Sequence, residues 1–134
     1  MTTRQELIDY CLSFPLAYED YPFDDIADDN RWTVMRHQAN KKIFAMIYER
    51  NGLCINLKCE PNRADNLRMV FKSVTSGWHM NKAHWNTIHI GAGSPCDSDV
   101  PEEELREMIA HSYDLIKPKP RKKGNNRDDN VQKS

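Results

Sequence analysis

Glycine is scarce, five in 134 residues, and the chain contains no P-loop, nucleophile elbow or other glycine-rich phosphate motif. The short signatures that mark nucleotide hydrolases and serine hydrolases are therefore missing, and the chain is expected not to be an enzyme. No apolar run approaches the ~20 residues that a bilayer-spanning helix needs, and the N-terminus lacks the basic-then-apolar pattern of a secretory signal. A cytoplasmic protein with no membrane partner is expected. Its four cysteines (Cys11, Cys54, Cys59, Cys96) should then stay reduced.

What is present is ordinary globular material, 39% hydrophobic and 29% charged, enough for one core. The net charge of −1 hides a segregation. Six acids and no base fall between positions 19 and 29, then ten bases against three acids between 31 and 82. Seven acids against Arg106 follow between 97 and 114, and the tail turns basic through Lys117, Lys119, Arg121, Lys122, Lys123 and Arg127. A basic middle can present a positive face despite a neutral sum; the same charges spread on all sides would merely solvate the surface.

Hydrophobic periodicity sets the expected elements. Thr3 with Glu6 reads as a capping box before Leu7, Ile8, Cys11 and Leu12, and Pro15 stops that helix near Ser13. Positions 16–30 show no clear period and read as a long acidic loop anchored in the core by Tyr18, Tyr21 and Phe23. Three strands are expected over 32–37, 43–48 and 53–58. The last two are joined by Asn51-Gly52, a dipeptide that tolerates the positive φ of a type I′ turn. Leu53, Ile55 and Leu57 alternate with Cys54, Asn56 and Lys58, the pattern of a half-buried strand. Pro61 opens a second helix, and strands are expected over 74–80 and 85–90. In the last strand Asn86, Ile88 and Ile90 share one face, and Trp85, Thr87 and His89 the other. Asp99 and Pro101 should open a final helix with a stripe of Leu105, Met108, Ile109, Ser112 and Ile116, which Pro118 ends. The predicted fold is α+β, in the order α-β-β-β-α-β-β-α, with helices packed on one face of an antiparallel sheet. Residues 1–117 form the domain; residues 118–134 form a basic tail expected to be disordered.

The segment His79-Met80-Asn81-Lys82-Ala83-His84-Trp85 resembles the H-x-N-K-x-H-W signature of the MmcQ/YjbR family. The opening helix with Cys11 and Pro15, the Phe44-Ala45 strand, the Leu57-Lys58 strand end and Ser112-Tyr113 in the last helix extend the likeness over nearly the whole domain. The resemblance implies a CyaY-like (frataxin-like) fold and a DNA-binding role carried by a double wing of hairpins.

On the residues themselves, the candidate contacts for nucleic acid are Lys41, Lys42 and Arg50 at hairpin turns and Asn81, Lys82 and His84 in the signature turn. Trp85 is a candidate stacker. The alternatives stay open at this point: an Asn-Lys turn is an ordinary hairpin tip, and a tryptophan at a strand end is often packing. The runner-up role is a protein-interaction or small-ligand module. His79, His84 and His89 are five apart, and a five-residue step along a strand reverses side-chain direction; the same holds for Cys54 and Cys59. Of frataxin's acidic first helix only Glu6 and Asp9 are represented, while the acids of 24–29 could hold a hard cation only loosely. No metal, no cofactor and a monomer are expected. His79 or His84 acting as base toward Cys54 or Cys59 is the one enzymatic arrangement worth checking.

Overall fold

A computed structural model describes residues 1–23, 32–91 and 98–119. Helix α1 (Arg4–Leu12) leads to strands β1 (Ala17–Asp20), β2 (Thr33–His37), β3 (Ile43–Glu49) and β4 (Leu53–Lys58). Helix α2 (Pro61–Val70), strands β5 (Val74–Ser76) and β6 (Trp85–Gly91) and helix α3 (Glu102–Ile116) complete the described chain. The six strands form one antiparallel sheet in the order β1-β2-β3-β4-β6-β5. The α+β class and the helix-backed antiparallel sheet are as expected. The element order is not, because β1 lies where a loop was expected.

That correction has a physical reason. Ala17-Tyr18-Glu19-Asp20 has no apolar alternation, so nothing local marks it as a strand. It is held by partners outside the segment, through pairing with β2, Arg36 Nε donating to Asp20 Oδ2 at 2.8 Å, and Ala17 packing on the core. Leu16, with φ 60°, makes the turn into it. Tyr18 and Tyr21 are half-buried, and Phe23 is 44% exposed rather than anchored in the core. The acidic run of 24–29 lies outside the described residues, as does the basic tail from 120 onward.

Local signals account for most other boundaries. The Thr3 hydroxyl accepts from Glu6 N at 3.2 Å while the Glu6 carboxylate accepts from Thr3 N at 3.1 Å. Asn51 and Gly52 take φ of 55° and 110° as expected, although Glu49 pairs with Leu53 and leaves three residues in the loop. Asp99 does not cap α3: Pro101 occupies the N-cap, and the Asp99 carboxylate instead accepts from Lys72 N and Ser73 N at 2.7 and 2.9 Å.

All three helices pack on one sheet face. Cross-strand partners Met35, Ala45 and Leu57, and likewise Ile47, Ile55, Ile88 and Val74, point toward Leu7, Ile8, Cys11, Leu105, Met108 and Ile109. Ser112 belongs in that stripe because its hydroxyl donates to the Phe44 carbonyl and accepts from Lys58 N, joining α3 to β3 and β4. The opposite face carries no helix among the described residues, and it positions the site.

Candidate nucleic-acid interface

The helix-free face is made of the other set of cross-strand partners: Val34, Met46, Asn56, Thr87 and Thr75, with Tyr48, Cys54 and His89 beside them. β4 was expected to be half-buried, yet Cys54 and Asn56 are 1% and 0% exposed. Aromatic rings cover them in place of a helix. Trp32 lies on Tyr48 at 4.1 Å, and Trp78 stacks on both at 5.6 and 5.4 Å.

Trp78 reaches this position because the chain leaves the ladder after Ser76. Gly77 N still donates to Trp85 O at 2.8 Å, but a Cβ on Gly77 would stand 2.7 Å from Trp85 Cβ, so only glycine passes there without a shift. The next residue folds back over the sheet. Trp78 N donates to Thr87 Oγ1 at 2.9 Å and its carbonyl accepts from Asn56 Nδ2 at 3.0 Å. Asn56 Oδ1 in turn accepts from Tyr48 OH at 2.7 Å and Thr87 Oγ1 at 2.6 Å. A buried polar network must be satisfied to be tolerated, and this one is; it holds the tryptophan rigidly. Burial pushes the Tyr48 hydroxyl up to about 12, so the network stays neutral at ordinary pH.

His79 follows with φ 62°, an unusual conformation for a side chain with a Cβ, and sets its ring 4.1 Å from that of Trp78. The expected strand over 74–80 therefore ends at Ser76. The remainder of the signature is pinned from behind. Asn81 Oδ1 accepts from Ala83 N at 2.9 Å, and Cys59 N donates to His84 O at 2.8 Å. Arg68 of α2 donates to the carbonyls of Lys82 and Trp85 and, at 2.6 Å, to Asn86 Oδ1. The signature is first of all a staple between α2, β4 and β6.

Beside it opens a groove of about 590 Å³, lined by Arg50, Thr75, Trp78, His79, Lys82 and His89 among others. The Arg50 guanidinium lies 4.5 Å above the Trp78 ring. Among the described residues no Asp or Glu lines the groove. Lys82 is exposed, and among the described residues its ammonium makes no hydrogen bond or ion pair.

Of the seven candidate contacts, Arg50 and Lys82 line this groove and the other five do not. Lys41 and Lys42 are exposed at the β2–β3 turn, at the opposite end of β3 from Arg50. Asn81 spends its side-chain oxygen on its own turn, His84 is exposed next to it, and Trp85 is half-buried against Gly77. Thr75, His79 and His89 were not among the candidate contacts; Trp78, which flanks the signature turn with Trp85, was weighed as a stacking platform, but Trp85 was preferred. The shared face of Thr87 and His89 was legible; that Trp78 lies over it was not.

The structure pairs Cys54 with His89, not with His79 or His84. They are cross-strand partners with Sγ and Nδ1 3.5 Å apart, and His89 Nε2 is 3.2 Å from Thr75 Oγ1. Burial raises the Cys54 thiol above its ordinary value, and burial with the nearby Arg50 charge lowers His89. Both are driven neutral, the reverse of an activated thiolate–imidazolium pair. Cys59 faces the core with Leu67, while Cys96 lies outside the described residues. Among the described residues no three His, Cys, Asp or Glu side chains gather where a metal ion could sit. No helix of the described residues is long and apolar enough to cross a membrane.

Fold and site together define an α+β domain with helices on one face of an antiparallel sheet and a basic, aromatic groove on the other. The YjbR family model matches residues 12–115, and the chain belongs to that family. The Escherichia coli K12 protein "Uncharacterized protein YjbR" is 29% identical over 112 residues, 83% of this chain and 84% of that one. "Uncharacterized protein YyaQ" of Bacillus subtilis is 29% identical over 128 residues, 87% of this chain and 100% of its own length. Among solved structures, a Pseudomonas syringae protein superposes with a TM-score of 0.70 at 26% identity, covering 86% of this chain and 99% of that one. A Deinococcus radiodurans protein with a DUF419 domain also gives 0.70, at 30% identity, covering 87% and 79%.

Proposed function

We propose that this is a non-catalytic, cytoplasmic DNA-binding domain of CyaY-like fold that holds the phosphate backbone at the Arg50–Lys82 groove. The observation that carries the reading is the charge of that groove: two cations reach it from different loops, and among the described residues no carboxylate lines it. Phosphate recognition needs that arrangement and little else. Exposed Lys41 and Lys42 add a second positive patch, and the basic tail beyond Lys117 adds sequence-independent attraction by counterion release. The helix-backed antiparallel sheet supports the CyaY-like assignment. The neutral Cys54–His89 pair supports a role without catalysis.

A second reading is favoured by one observation. A groove of about 590 Å³ falls in the range of small-ligand pockets, roughly 300–1,000 Å³, so a small phosphorylated ligand fits the same cations.

Fluorescence anisotropy with labelled DNA at 50 and 200 mM salt tests the proposal. With two phosphate contacts the groove alone should lose about sevenfold in affinity over that range, from a slope of roughly 0.7 per contact for single strands. Lys82→Ala should lower the slope by about one contact. If binding vanishes only when Lys119, Arg121, Lys122, Lys123 and Arg127 are all replaced by alanine, the domain is a bystander. No binding at low salt would end the reading.

A further inference from the structure

We infer that the groove is built for an unpaired nucleotide of a single strand, its base stacked at the Trp78–His79 shelf and its phosphates held by Arg50 and Lys82. This rests on the nucleic-acid reading above and narrows it to single strands.

The geometry of the hairpins argues against a duplex held by two wings. β3 spans 43–49, so at ~3.3 Å per residue the eight steps from Lys42 to Arg50 put the two turns about 26 Å apart at opposite ends of one strand. The major groove is ~12 Å wide, so both tips cannot enter it side by side across its width. Arg50 and Lys82, by contrast, already share a single groove.

That groove contains what a single strand offers contacts to: cations for phosphates and ring faces for bases. Trp32, Tyr48, Trp78 and His79 form a continuous run of ring contacts, with the first three half-buried or buried and His79 exposed at its end. The inner rings are held by packing and by the Asn56–Thr87 network, so the platform is ordered before any ligand arrives. His79 is the most exposed member of the run, and it stands at φ 62°, a conformation a side chain rarely takes. The turn hydrogen bond from Met80 N to Gly77 O, 3.2 Å, holds it there. Arg50, now 4.5 Å above Trp78, can move from the ring to a phosphate or remain and stack its guanidinium against the base. Ser76 and Thr75 line the wall with hydroxyls that can meet a base edge. Sheet faces carrying aromatic side chains bind unpaired bases in this manner because every base has a ring face, whereas a duplex keeps those faces stacked on each other.

The test uses the full-length protein and four fluorescein-labelled probes: a ten-nucleotide oligothymidylate, a duplex of equal length, an abasic strand of equal length, and thymidine monophosphate. The inference expects the single strand to bind at least about tenfold tighter than the duplex and the abasic strand, since one stacked base is worth roughly that factor. His79→Ala, a surface change that leaves the core intact, should erase most of the difference between the normal and abasic strands. Lys82→Ala should weaken both alike. Equal or tighter duplex binding that still falls with salt and with Lys82→Ala overturns the single-strand inference and leaves the DNA reading standing. A monophosphate bound as tightly as the ten-nucleotide strand also overturns it, in favour of a small ligand. If no probe binds, the DNA reading itself has failed.

Discussion

Asn56→Ala is the substitution that most directly examines how the site is held. Asn56 is fully buried and makes three hydrogen bonds, from Tyr48 OH and Thr87 Oγ1 to its oxygen and from its amide to the Trp78 carbonyl. Alanine removes all three and leaves buried polar atoms behind. The Tyr48 and Thr87 hydroxyls, 3.4 Å apart, can partly satisfy each other, but the Trp78 carbonyl loses its donor. At about 1 kcal/mol per bond, with more for the orphaned carbonyl, the loss should be about 3 kcal/mol. At roughly 4 °C per kcal/mol for a chain of this size, the melting temperature should fall by about 12 °C. Urea denaturation measures the first quantity and thermal circular dichroism the second. The near-ultraviolet signal of the Trp32–Tyr48–Trp78 stack should weaken as well, because the backbone carrying Trp78 is released. Thr87→Val combined with Asn56→Ala should cost clearly less than the two separate losses added together, since both break the same network. A loss below about 1 kcal/mol, or strict additivity, would refute the view that this network positions Trp78.

Other consequences follow from the same contacts. Gly77→Ala puts a methyl group 2.7 Å from Trp85 Cβ, and is expected to cost about 2 kcal/mol in urea denaturation and to shift the amide resonances of residues 77–80. Arg68→Ala removes the donors to Lys82 O, Trp85 O and Asn86 Oδ1, so the signature turn should gain hydrogen-exchange rate while stability falls by about 2 kcal/mol. Alkaline pH should destabilise the fold. The folded pKa of Cys11 is raised from 9.0 to about 12 and that of Tyr48 from 10.0 to about 12, so their stabilisation is complete below 9 and is lost as pH rises toward 12. On the acid side the lowered folded pKa values of His89 and His111 give stability that is present above 6.5 and lost below it. His89→Gln should flatten that limb in pH-dependent denaturation.

Much of the fold was legible because its signals are local. The Thr3–Glu6 capping box, the Asn51-Gly52 turn, Pro61 at the start of α2 and the α3 stripe each depend on residues within a few positions of one another. What escaped depends on partners far along the chain. β1 exists because β2 and Arg36 hold it, and Asn56 is buried because Trp32 and Trp78, 24 and 22 positions away in sequence, close over its face. The candidate site was legible in the same proportion. Arg50 and Lys82 could be picked from turn positions, whereas Trp78 required knowing that Gly77 lets the chain leave β5 and that β6 sits between β4 and β5. The signature also read differently in three dimensions: Asn81 and the backbone of 82–85 serve the fold, and the side chains of His79 and Lys82 are what remain for a ligand.

The most direct test of the central claim is an amide chemical-shift titration of the isotope-labelled, full-length protein with a ten-nucleotide single strand. Shifts should concentrate at Arg50, Thr75, residues 76–82 and His89, with α1 and α3 silent. Shifts confined to residues 118–134, or spread over the helical face, would contradict the claim that the helix-free groove is the binding surface.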